Sequence, residues 1–131
     1  MRDMIQPVLT GDAPAPAGHY AQAVRAGDHL YISGQLPIRA DGAKLDDMAF
    51  EAQAAQAIDN MLAILHAVGG TADHLARVTA YIVGVDNWPR FNAVYAARLG
   101  NARPARTVVP VPELHYGYLV EIDAVALFPR D

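Results

Sequence analysis

The stretch "ARPARTVVPVPELHYGYLVEIDAVAL", residues 102–127, is one long apolar run with Arg106, Glu121 and Asp123 set inside it. Alternation from Arg106 to Val111 reads as a strand, and so does the run 118–127. The segment between them, "PELHYG" at 112–117, is a loop with Gly117 at its end. A charge inside a strand needs a partner, because an unpaired buried charge costs several kcal/mol. Two partners are open to Arg106. If 105–111 and 118–127 form a hairpin, Arg106 lies opposite Glu121 or Asp123 and makes an intramolecular ion pair. Otherwise its flat fork faces an incoming carboxylate, which it binds through two parallel hydrogen bonds.

Working outward, "NWPRFNAVYAARLG" at 87–100 reads as a helix. Asn87 is the candidate N-cap, Pro89 sits near the first turn, and Phe91, Val94, Tyr95 and Leu99 share one side. Before it, "HLARVTAYIVGV" contains a strand of about eight residues from Ala76. The segment from Asp46 to Val68 changes period: Ala54, Ile58, Met61, Leu65 and Val68 recur at helical spacing. Asp46 and Asp47 favour its start, and Gly69–Gly70 mark its end. Two short strands, 20–25 and 29–35, flank a "RAGD" turn in which Gly27 supplies positive φ. "ADGAK" at 40–44 is another turn. "GDAPAPAG" at 11–18 is a loop, so residues 1–18 read as an N-terminal arm.

The order β, β, α, β, α, β, β predicts one α+β domain over residues 1–131, with a mixed or mostly antiparallel sheet. Two helices cover one face of such a sheet. The apolar character of "VEIDAVAL" and "RVTAYIVGV" predicts that another subunit covers the second face.

Composition narrows the chemistry. The chain has 131 residues, no cysteine, 18% charged residues and a formal net charge of −4. Thiolate catalysis, zinc–thiolate sites and disulfides are excluded. No run approaches the roughly 20 apolar residues of a membrane span, and the N-terminus lacks a secretory apolar core. Basic residues are scattered, which predicts no nucleic-acid partner. The five histidines have no metal-ligand spacing. A cytoplasmic globular protein without a metal is expected.

Five segments in order, "GHYAQAV" (18–24), "YISGQLP" (31–37), "FNAVYAARLG" (91–100), "RPARTVV" (103–109) and "VEIDAVAL" (120–127), resemble the reactive intermediate deaminase (RidA, or YjgF) family. The resemblance covers about residues 14–128. It implies a chorismate-mutase-like fold assembled as a homotrimer, with helices outside and three clefts between subunits. It also implies hydrolysis of reactive 2-imino acids to 2-oxo acids and ammonium, with no cofactor. Carried over by motif, Arg106 resembles the substrate-carboxylate clamp and Glu121 the acid that orients water or a proton. Tyr20, Ser33, Gly34 and Asn92 match positions lining the cleft. His19, His115 and Tyr116 stand at its expected rim. His19 replaces a common proline, Val108 a common cysteine, and "ELHYGYL" a more usual loop. Asp123 has the parity to reach the cleft, but the resemblance gives it no role. Two alternatives stay open: hydrolysis of another small catabolic intermediate, and a non-catalytic trimer that binds small carboxylates or partner proteins.

Overall fold

A computed structural model describes residues 4–129. The elements are β1 (Gln6–Val8), β2 (Ala23–Ala26), β3 (His29–Gln35), α1 (Phe50–Ala67), β4 (Leu75–Val83), α2 (Trp88–Leu99), β5 (Ala105–Val111) and β6 (Val120–Leu127), with three short 3-10 turns. The strands form one sheet in the order β1-β2-β3-β6-β4-β5. The fold is α+β, as the sequence predicts. Neighbours are antiparallel except β4 and β5, which run parallel.

That parallel pair corrects one expectation. β5 does not form a hairpin with β6. α2 carries the chain back across the sheet, so β5 emerges in the same direction as β4 and pairs on its outer side. β6 is inserted between β3 and β4 instead. A strand that contains proline lacks one ladder donor and belongs at a sheet edge. Both edge strands meet that rule: β1 contains Pro7 and β5 contains Pro110. β1 lies in the N-terminal arm and is a strand that the sequence did not announce.

The β2–β3 turn forms as read, with Gly27 at φ 62°. Both helices lie on one face. Ile58, Met61, Ile64 and Leu65 of α1 and Phe91 and Leu99 of α2 pack on Leu30, Ile32, Val78, Ile82, Val120 and Ile122 of the strands. All of these are buried. Each such aliphatic side chain contributes roughly 1.5–3 kcal/mol relative to exposure. The other face carries Tyr31, Thr79, Tyr81, Val109, Glu121 and Val125, which stay partly exposed or exposed.

α1 starts at Phe50, four residues later than Asp46 suggests. Residues 46–48 turn instead, because the buried Gln53 amide donates to the carbonyl oxygens of Met48 (3.0 Å) and Asp46 (3.4 Å). Its oxygen accepts from the Leu119 amide at 2.9 Å. Two turns on, buried Asn60 donates to the carbonyls of Leu36 (3.1 Å) and Ile38 (2.8 Å). α1 thus holds the 36–48 and 115–119 loops in place from inside. Asn60→Leu is expected to cost about 2 kcal/mol, because it orphans two carbonyls and the Gln56 amide. The denaturant midpoint checks this, and an unchanged midpoint would show that these loops are held by other contacts.

Candidate functional site

Glu121 leaves β6 on the face away from the helices, because its neighbours Val120 and Ile122 are both buried on the helix side. Opposite it, β3 bulges. Ile32 pairs with Ala124 but Gln35 pairs with Ile122, so one extra residue is accommodated at Ser33–Gly34. Glu121 lies directly over Gly34. A Cβ built at Gly34 would stand 2.5 Å from Glu121 Oε2. The glycine is therefore required to seat the carboxylate. Burial raises the pKa of Glu121, a positive charge on His115 pulls it back down, and the Asp123 charge raises it.

Glu121 opens into a cleft of about 400 Å3 that Tyr20, Ser33, Gly34, His115 and Tyr116 also line. Ser33 Oγ donates to the Ala21 carbonyl at 2.7 Å, and Tyr20 Oη accepts from the Ala17 amide at 3.2 Å. His19 is exposed on the same segment but is not among the lining residues. The wall formed by residues 14–18 is anchored by Gln22, which is buried. Its amide donates to the Pro14 carbonyl at 2.9 Å, and its oxygen accepts from the Thr10 amide at 2.7 Å.

Arg106 is elsewhere. It pairs in register with Val78, which pairs with Ala124, and both of these are buried against the helices. Glu121 pairs with Tyr81 on the opposite face. Within one chain the two residues project from opposite sides of the sheet, so the intramolecular ion pair is ruled out. Arg106 Nη1 instead donates to Asn92 Oδ1 at 3.0 Å, and its Cζ lies 4.9 Å from the Tyr95 ring centroid. These contacts set the guanidinium against α2. They form a second cleft of about 320 Å3, lined by Asn92, Tyr95, Arg103 and Arg106 among others. Among the described residues Arg106 has no carboxylate partner; the ion pairs are Arg90–Glu51 and Arg98–Asp59. Burial raises the pKa of Tyr95, opposed by the Arg106 charge.

Asp123 shares the Glu121 face. Its Oδ2 accepts from Tyr81 Oη at 3.3 Å. Burial raises its pKa, while that hydrogen bond and the Arg77 charge lower it. Among the described residues no group of three or more His, Asp or Glu side chains is placed to hold a metal.

The model of the family described as Endoribonuclease L-PSP matches residues 10–128. The chain belongs to this family, the YjgF/RidA family. It is 36% identical over 123 residues to a RutC family protein of Pyrococcus horikoshii, covering 94% of this chain and 98% of the relative. The RidA structure from an Antarctic Psychrobacter superposes with a TM-score of 0.88 at 35% identity, covering 93% of this chain and 98% of that one. Escherichia coli TdcF, solved with bound serine, gives 0.88 at 26% identity, covering 96% and 99%. The sheet order and both helices are thus those of the YjgF/RidA fold.

Tyr95, Gln22 and Lys44 join the clefts without having been singled out as site residues. Tyr95 was legible as a helical neighbour of Asn92, three residues on. The seat of Glu121 also has a thermodynamic consequence. An acid whose folded pKa is raised binds more protons folded than unfolded, so it lowers stability as pH rises through the interval between the two values. Glu121→Gln removes that titration. The variant is expected to gain stability over the parent as pH rises from about 4 to 8. Thermal melts across that range check it, and a difference that stays constant with pH would mean the carboxyl is solvated.

Proposed function

We propose that the protein hydrolyses 2-imino acids to 2-oxo acids and ammonium, as a cytoplasmic homotrimer with its sites between copies. The observation that carries this is the Arg106 guanidinium, held by Asn92 and over the Tyr95 ring with no carboxylate partner among the described residues. Such a fork is set for an external carboxylate. The second requirement, a water-positioning acid, is met by Glu121 on the other face of the sheet. One chain offers each half of the site but not both together. A heterologous interface, in which one copy's Arg106 edge meets the next copy's Glu121 cleft, joins them. It also covers the half-exposed sheet face.

Arg106 binds the substrate carboxylate and fixes the imine over Gly34. Water, oriented by Glu121, adds to the imine carbon. The C–O bond forms as the C=N π pair moves to nitrogen. Glu121 takes a proton from the water and returns it to that nitrogen, giving the neutral carbinolamine. Glu121 then takes the hydroxyl proton and passes it to the amine nitrogen. The C=O bond forms, the C–N bond breaks with ammonia as the leaving group, and the carboxylate is regenerated. The ammonia is protonated in water. The pKa of Glu121, raised by burial, suits a carboxylate that accepts a proton and returns it within one turnover. Imines already hydrolyse in water, so positioning and electrostatics are sufficient. No cofactor enters the reaction.

A second reading is a carboxylate-binding trimer without turnover. It is favoured by one observation, the serine bound to the related TdcF. The relatives named RutC keep a third reading in view, hydrolysis of another small catabolic intermediate. The net charge of −4 opposes binding to a phosphate backbone, which draws its affinity from clustered Lys and Arg. The test is imine loss when an amino-acid oxidase generates imines from aliphatic, aromatic and acidic amino acids. Faster release of ammonium with the protein than without it supports hydrolysis. Binding of 2-oxo acids without acceleration supports the second reading.

A further inference from the structure

The cleft that holds Glu121 contains a cation the mechanism does not use. Lys44 and Tyr116 both line it. Tyr116 is the one non-glycine residue with positive φ among the described residues, at φ 56° and ψ 21°. A bulky residue in that region is strained. Its side chain is nevertheless 71% exposed, so core burial does not offset the strain. The ring packs edge-on against buried Tyr118, with centroids 6.3 Å apart. The Lys44 ammonium stands 5.1 Å from the Tyr116 ring centroid. The Lys44 backbone is tied by an antiparallel bridge to Ile38. No carboxylate among the described residues pairs with Lys44. A strained, exposed aromatic thus holds an ammonium at the cleft, and the ammonium lacks an anion.

Resting on the hydrolytic reading above, we propose that Lys44, set by Tyr116, determines specificity by binding a second, side-chain carboxylate, so that the preferred substrates are dicarboxylic 2-imino acids. The α-carboxylate sits at a fixed angle to the imine and suits the planar fork of Arg106. A side-chain carboxylate swings on a flexible stem and suits a point charge. A cleft of about 400 Å3 has room for a five-carbon diacid.

The test compares 2-iminoglutarate with 2-iminobutanoate. The wild-type protein is expected to have the higher kcat/KM on the diacid. Lys44→Met is expected to lower the ratio of the two kcat/KM values by about tenfold or more, and Lys44→Arg to restore most of it. A ratio unchanged in Lys44→Met, or a wild-type preference for aromatic imines, overturns the proposal. Calorimetric titration with the products 2-oxoglutarate and 2-oxobutanoate separates this failure from that of the hydrolytic reading. Tighter binding of 2-oxoglutarate that Lys44→Met abolishes supports the role of Lys44 even if no imine is turned over. Equal affinities in the two proteins overturn it even if turnover is fast.

Discussion

Glu121→Gln is expected to lower imine hydrolysis by about 100-fold, the lower end of what a positioned acid–base group contributes. Glutamine keeps the size and the seat over Gly34 but neither accepts nor returns a proton. The expectation is specific because the seat is specific. With a Cβ at Gly34 only 2.5 Å from the carboxylate oxygen, Gly34→Ala must push Glu121 aside and is expected to reproduce most of the loss. The two variants separate in stability. Glu121→Gln is at least as stable as the parent at pH 8, because it removes a desolvated charge. Gly34→Ala keeps the titrating carboxyl and meets only the movable end of the Glu121 side chain, so its stability is expected to stay close to the parent's. Steady-state rates with melting curves check the pair. Wild-type rates in Glu121→Gln would assign the carboxyl to packing.

Arg106→Ala is expected to lose at least about 100-fold in kcat/KM, and Arg106→Lys about tenfold, or roughly 1.4 kcal/mol. Lysine keeps the charge but not the fork. The fold is expected to survive both changes. Removing one member of a buried ion pair would strand its partner and cost 3–5 kcal/mol. Arg106 has no such partner among the described residues, and the Asn92 amide left behind lies at a cleft open to water. Unfolding of Arg106→Ala, together with wild-type turnover by Arg106→Lys, would make the arginine structural.

Much of this arrangement is written locally in the chain. Ala54, Ile58, Met61 and Leu65 repeat at helical spacing and do face the sheet. The alternation in "VEIDAVAL" separates Val120, Ile122, Ala124 and Ala126 from Glu121 and Asp123, and the structure buries the first set. Gln53 and Asn60 lie seven residues apart on the buried side of α1. Polar side chains on an apolar stripe signal loops that need tying down, and that is their use.

What local pattern does not carry is the choice of strand partner. β5 and β6 follow one another and look like a hairpin. Their order in the sheet depends on α2 crossing over and on β6 filling the gap between β3 and β4. The alternation within β5 correctly placed Arg106, Val108 and Pro110 on one side. Only the sheet order shows that this side faces the helices while Glu121 faces away. The same limit hid Lys44, which joins the cleft through a bridge to Ile38 and a ring 72 positions along the chain. The prolines carried usable information: Pro7 and Pro110 mark the two edge strands.

The most direct test of the account is complementation between copies. Arg106→Ala and Glu121→Gln chains, each nearly inactive alone, are unfolded, mixed in equal amounts and refolded together. If the site joins Arg106 of one copy to Glu121 of the next, random assembly leaves about one site in four with both residues intact. The account predicts recovery of about a quarter of the wild-type rate, with a sedimentation mass about three times that of one chain. A mixture no more active than its components, or an active monomer, would contradict it.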